Sequence, residues 1–282
     1  MKDSKKNLMF ALLIIIFFLV SPLYAHNDEA KANNDYGVTS VSNGETDKAL
    51  SFFNYAIRLD PYYETAYNNR GELYFSKGDY EKALEDFSKS IRINPNSASP
   101  YNGRGSVYTV IGEYDKAIAD FNNAIRIDPD FIEAYNNRGF VSKSKGDFNH
   151  ALADFTQAIR INPESKNAYN NRGSVYTDKG DYNRAIADFT KAIALDEEFK
   201  EAYINRAIAY IKKGDNDKAI EDTTKAIQIA PKFAAAYCYK GIAYMKKGML
   251  SQAREDANRA LKRDPKNQDV KDLDAELKRR GY

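Results

Sequence analysis

The sequence predicts an all-α solenoid of stacked helix–turn–helix units, and three observations predict it. The block AYNNRG stands at 66–71, 134–139 and 168–173, with near-copies PYNGRG at 100–105, AYINRA at 202–207 and AYCYKG at 236–241. Aligning the chain on this block gives a 34-residue period with no insertion or deletion, in which Ala49, Ala83, Ala117, Ala151, Ala185, Ala219 and Ala253 all fall in register. Within each period the apolar residues recur at helical rather than strand spacing. So many positions held in one register mark a repeat array, in which each unit buries its apolar face against its neighbours.

The elements are taken in chain order. Residues 1–25 open with Lys2, Lys5 and Lys6, run apolar from Leu8 to Val20, break at Ser21-Pro22 and end on the small Ala25. The run is too short to span a bilayer comfortably and suits a secretory signal peptide cut after Ala25. The alternative is an uncleaved anchor. Residues 26–29 are a short polar leader. Seven units then occupy 30–63, 64–97, 98–131, 132–165, 166–199, 200–233 and 234–267. In the second unit, Tyr67, Gly71, Leu73 and Tyr74 give a first helix, and Lys77-Gly78-Asp79 breaks it. Gly78 is free to take a positive φ and Asp79 is placed to cap the second helix. Tyr80, Ala83, Leu84, Phe87, Ile91 and Ile93 stripe that helix, which Asn94-Pro95 ends. Gly71 and Ala83 are small enough for the two helices to approach closely. Val270, Leu273 and Leu277 put one apolar stripe on 268–282, a C-terminal capping helix. The opening helix of the first unit is poor in apolar residues and is expected to fray.

This pattern of small, aromatic and proline positions resembles the tetratricopeptide repeat (TPR) family over 30–267. The resemblance implies a right-handed superhelix of antiparallel helix pairs, with a concave groove lined by the first helix of each pair. The chain departs from the family at Asn33, where an aromatic is usual, and where arginine replaces the usual large apolar residue just before the glycine.

Arg70, Arg104, Arg138, Arg172 and Arg206 are each followed sixteen residues later by Asp86, Asp120, Asp154, Asp188 and Asp222. The first unit breaks both positions together, with Tyr36 and Phe52. This internal co-variation predicts structural ion pairs, within a unit or across to its neighbour.

Asn69, Asn137, Asn171 and Asn205 occupy the sixth position of their units, with Gly103 and Tyr239 as exceptions. By resemblance to the TPR family this position faces the groove. The row is similar to the asparagine ladder of the peptide O-GlcNAc transferases, which implies backbone contacts to an extended peptide. An amide carries both donor and acceptor, as a peptide bond does. Asn68, Asn102, Asn136 and Asn170 would widen the strip. Toward the C-terminus Ile204, Ile208, Ile211, Cys238, Ile242 and Met245 fall at matching positions. There they are expected to form an apolar wall with Tyr239 at its edge, or to pack the last units together.

Other classes fit poorly. Outside residues 1–25 the basic and acidic residues are equal in number, so no global basic field points to nucleic acid. One cysteine and two distant histidines assemble no metal site. There is no phosphate-binding glycine loop, nucleophile elbow or zinc-protease motif. The expectation is a non-enzymatic adaptor without cofactor, periplasmic or secreted, binding a protein or peptide partner. The alternatives are a self-assembling scaffold or a membrane-anchored assembly factor.

Overall fold

A computed structural model describes residues 28–282; the expected signal peptide, 1–25, lies outside the described residues. Helices follow one another in pairs: α1 (28–42) and α2 (Thr46–Leu59), α3 (Glu64–Ser76) and α4 (Tyr80–Ile93), α5 (Ala98–Val110) and α6 (Tyr114–Ile127), α7 (Ile132–Ser144) and α8 (Phe148–Ile161). They continue with α9 (Lys166–Asp178) and α10 (Tyr182–Leu195), α11 (Lys200–Lys213) and α12 (Asn216–Ile229), α13 (Ala234–Lys246) and α14 (Leu250–Arg263), and a last helix α15 (Gln268–Arg279). No helix among the described residues is long and apolar enough to cross a membrane. The chain divides into two compact units, one ending at Ala134 and the other running from Tyr135 to Tyr282.

The turns inside the pairs form as glycine chemistry requires. Gly78 sits at φ 78° and Gly214 at φ 97°, a left-handed conformation that a side chain disfavours. The aspartate after the glycine caps the next helix in three turns: Asp79, Asp147 and Asp181 accept from the backbone N–H of Lys82, His150 and Arg184.

Phenylalanine supplies the core. Phe53, Phe87, Phe155 and Phe189 are fully buried, each in a cluster that also holds a residue of the next first helix: Leu73, Val107, Val175 and Ala209. One pair therefore completes its core only when the next is stacked on it. A buried phenylalanine is worth roughly 2–3 kcal/mol of apolar transfer. Glycine before it makes room: an added Cβ at Gly71 would lie 3.0 Å from the Phe87 ring, and one at Gly173 would lie 2.8 Å from the Phe189 ring. Where the phenylalanine gives way to Thr223, the glycine gives way to Ala207. Where it gives way to Ala257, Leu273 of α15 fills the space and would meet a Cβ on Gly241 at 2.8 Å. Val270, Leu273 and Leu277 are buried, so α15 closes this end of the stack.

α1 is continuous from 28 to 42 despite its polar sequence. Ala30, Asn34 and Ser40 are buried, and Asn34 is bonded from α3, so neighbours hold a helix whose composition alone suggested fraying.

Candidate functional site

Within each unit the first helices of successive pairs also touch: α3 with α5, α9 with α11, and α11 with α13. In each unit these helices carry sequence-predicted asparagines.

The arginines point the other way, into the seams between helices. Each clamps its aspartate with two bonds: Arg70 Nε and Nη2 to Asp86 at 2.7 and 2.7 Å, and Arg104 to Asp120 at 2.8 and 2.9 Å. Arg138 holds Asp154 at 3.0 and 2.6 Å, Arg172 holds Asp188 at 2.8 and 2.8 Å, and Arg206 holds Asp222 at 2.8 and 2.7 Å. Of the two alternatives left open by the sequence, the ion pairs lie within a unit. The carboxylate belongs to the same pair, while Nη1 reaches the preceding second helix, at Asn54, Ser88, Thr156 and Thr190 from Arg70, Arg104, Arg172 and Arg206. Each guanidinium also lies over the tyrosine one turn earlier, as Arg172 does over Tyr169 at 5.7 Å. The bond to Asp120 holds Arg104 above the ordinary arginine value despite its burial. Burial pushes the Asp86 and Asp222 carboxyls up against the pull of their arginines. These are desolvated, bidentate clamps that pin one pair to the next, and their charges are used up internally.

The asparagines do something the period did not reveal: they bond one another across neighbouring first helices. Asn69 Nδ2 donates to Asn34 Oδ1 at 2.9 Å in the first unit, and Asn205 Nδ2 donates to Asn170 Oδ1 at 2.9 Å in the second. The recurring separation of 35 residues was the available signal, obscured because Asp35 interrupts the sixth-position row. Asn68 is 7% exposed and gives its Nδ2 to Glu72 Oε1 at 3.0 Å. Its Oδ1 is buried without a partner, and the residue 35 further on is Gly103, which has no amide to offer. Asn136 Oδ1 is likewise buried and unpartnered. Asn102, Asn137 and Asn171 are half-buried on the same helices.

The expected C-terminal apolar wall is a correction. Ile204 is 4% exposed, and Ile211 and Cys238 are also buried. Ile208, Ile242 and Met245 pack onto the same clusters. These side chains join α11, α13 and α15 to each other, which leaves little apolar surface for a ligand. Tyr239 does not rim a groove: its hydroxyl donates to Asp269 of α15 at 2.5 Å, and burial followed by that carboxylate raises its pKa strongly. Burial also pushes the Cys238 thiol to about 12, so it is an inert packing residue.

Stacked helix pairs with buried small and aromatic positions, and a polar first-helix face, define a helical-repeat protein. Its sequence identifies which kind. The chain belongs to the tetratricopeptide repeat family, whose profile matches residues 65–97, 132–165, 167–199, 201–233 and 234–267, with a further TPR repeat at 107–143. No curated protein sequence matches it. Among solved structures it resembles a chain of the APC/C Cut9–Hcn1 hetero-tetramer (TM-score 0.72, 22% identity), covering 86% of this chain but only 47% of that one. It also resembles a tetratricopeptide repeat protein from Parabacteroides merdae (TM-score 0.68, 21% identity, 87% and 97% covered). A third is YrrB, described as a TPR protein with an unusual peptide-binding site (TM-score 0.53, 26% identity, 65% and 95% covered). The fold is thus a TPR solenoid, the architecture of protein-interaction scaffolds.

Proposed function

We propose that this protein is an exported interaction scaffold that holds extended peptide segments against the first helices of its compact units, with Asn69 in one unit and Asn171 and Asn205 in the other supplying amides to peptide backbone. The observation that carries this reading is the amide pairing. Asn205 uses one N–H on Asn170 and keeps its Oδ1 and second N–H. Held in one orientation, it matches the C=O and N–H of an extended chain and gives up little side-chain entropy on binding. Asn69 is held by Asn34 in the same way. Backbone recognition of this kind makes few demands on the partner's sequence. The likeness to YrrB supports the reading, since that protein is described as having a peptide-binding site. Export rests on the basic start and apolar run of residues 1–25.

Fluorescence anisotropy with labelled, extended Gly/Ala/Ser-rich peptides tests the face. Asn171→Ala with Asn205→Ala is expected to weaken binding about tenfold, two lost hydrogen bonds at about 0.5–1.5 kcal/mol each. Equal binding by a folded double variant removes the amides from the function. Export is read from the intact mass of protein recovered outside the cytoplasm, which should lack residues 1–25.

A further inference from the structure

One recess on the first unit differs from the rest of the face. It lies between α1 and α3 and encloses about 230 Å³. Its floor is Phe53 and Leu73, both buried, and one wall is Val38 and Val41, each 44% exposed. Ser42, the paired Asn69, Glu72 and Ser76 complete the lining. Asn68 donates to Glu72 Oε1 and fixes that carboxylate, leaving its second oxygen to a ligand. Among the described residues no cation pairs with Glu72. The protein around the recess holds the Glu72 carboxyl above the ordinary glutamate value, only partly offset by the Asn68 bond, although its surface remains open to solvent.

From this juxtaposition we infer that the recess receives a cationic side chain with an aliphatic stem, lysine or arginine, from the bound segment. The stem covers Val38, Val41 and Leu73, and the charged head meets Glu72. An anionic side chain is repelled. A purely apolar one would strip water from the carboxylate without pairing it, which is unfavourable. The inference rests on the peptide-binding reading and adds to it a charge preference at one end: a segment read through its backbone elsewhere is placed by one basic residue here.

The test uses the full chain with two small probes, Nα-acetyl-lysine methylamide and the uncharged Nα-acetyl-norleucine methylamide, which keeps the aliphatic stem and lacks the ammonium, followed by the methyl NMR signals of Val38, Val41 and Leu73. The lysine probe should shift these methyls saturably and bind about fivefold tighter than the norleucine probe, as for a partly solvated ion pair. Glu72→Gln should erase that preference, and Val41→Lys, which tethers a resident cation in the recess, should block the lysine probe. Equal binding of the two probes, a preference that survives Glu72→Gln, or no shift with the lysine probe overturns the inference. A labelled extended peptide carrying one lysine separates this from the parent reading. If Asn171→Ala with Asn205→Ala weakens the peptide while the probes show no preference, the recess fails and the amide face stands. If the probes behave as expected while the peptide ignores the asparagines, the amide face fails and the recess stands.

Discussion

Phe87 lies so close to Gly103 that a Cβ at that position would come within 2.5 Å of two of its ring carbons. The ring reaches from α4 across to α5 and occupies the place that a sixth-position asparagine would need. This contact explains the gap in the asparagine row. Gly103→Asn should therefore destabilise the first unit by about 1–3 kcal/mol, the usual range for overpacking a filled core. With Phe87→Leu, which carries its own cavity cost, the added asparagine should cost little more. Urea denaturation of the two single variants and the double variant measures this, and additive losses would mean that the ring is not the obstacle.

The same logic runs in reverse in the sixth pair. Ala207 and Thr223 stand where other pairs carry glycine and phenylalanine, and Thr223 is fully buried with its hydroxyl bonded to Ala219 O at 2.8 Å. Thr223→Phe alone should lose about 1–3 kcal/mol, because the Ala207 methyl occupies the ring's space. Ala207→Gly alone should lose about 1 kcal/mol of helix propensity. Together they should be better than their sum by at least about 1 kcal/mol, and a double-mutant cycle reads that coupling directly.

This explains what the sequence made legible. Residues that repeat together, such as Arg172 with Asp188, report contact because both ends lie on the period. The period also delivered the helix pairs and the glycine turns. Features that depend on a break in the period were hidden. Asn34 bonds Asn69 although its own unit has no sixth-position asparagine, so the amide pairing is visible only once α1 and α3 are side by side. Ile204 and Cys238 occupy fifth positions, at the margin between the open face and the seam with the next helix. Spacing places them on that margin but does not decide on which side the side chain falls, and the neighbouring Ala236 and the docking of α15 settle it inward. Tyr239 went astray for the same reason, because its partner Asp269 lies outside the repeats.

The clamps carry a prediction of their own. Arg172 and Asp188 are buried as a pair, with side chains 18% and 10% exposed. Arg172→Leu leaves the Asp188 carboxylate unpaired and should cost about 3–5 kcal/mol. Arg172→Leu with Asp188→Leu removes both desolvated charges and should recover most of that loss. A remainder of about 1 kcal/mol is expected from the contacts to Tyr169 and Thr156 that also disappear. Thermal melts of the three variants compare them, and a double variant no more stable than the single would show that the pair is not the unit that matters.

Acid should release the C-terminal cap before it unfolds the stack. Asp274 of α15 is bonded by Lys278 at 2.8 Å and by Arg254 of α14 at 2.5 Å, and these two bonds, that of Lys278 first, hold its carboxyl below the ordinary aspartate value. Arg254 also reaches the Tyr282 carbonyl at 2.6 Å, so one guanidinium ties both the helix and the chain end. A carboxylate whose folded pKa lies below its unfolded one contributes stability that is complete above the unfolded value, about 3.9, and fades as pH falls through the folded value. Glu276, lowered chiefly by Arg280, acts with the same sign. Asp256 has the opposite sign, since burial raises its carboxyl, but it belongs to α14 rather than to the cap contact. Hydrogen exchange should therefore show the amides of Val270, Leu273 and Leu277 losing protection from about pH 4 downward, while α9 to α12 remain protected. Asp274→Asn should lower that protection already at neutral pH and flatten its acid dependence. If α15 and α9 to α12 instead lose protection together in acid, the cap is held by its leucines alone and Asp274 contributes nothing to its docking.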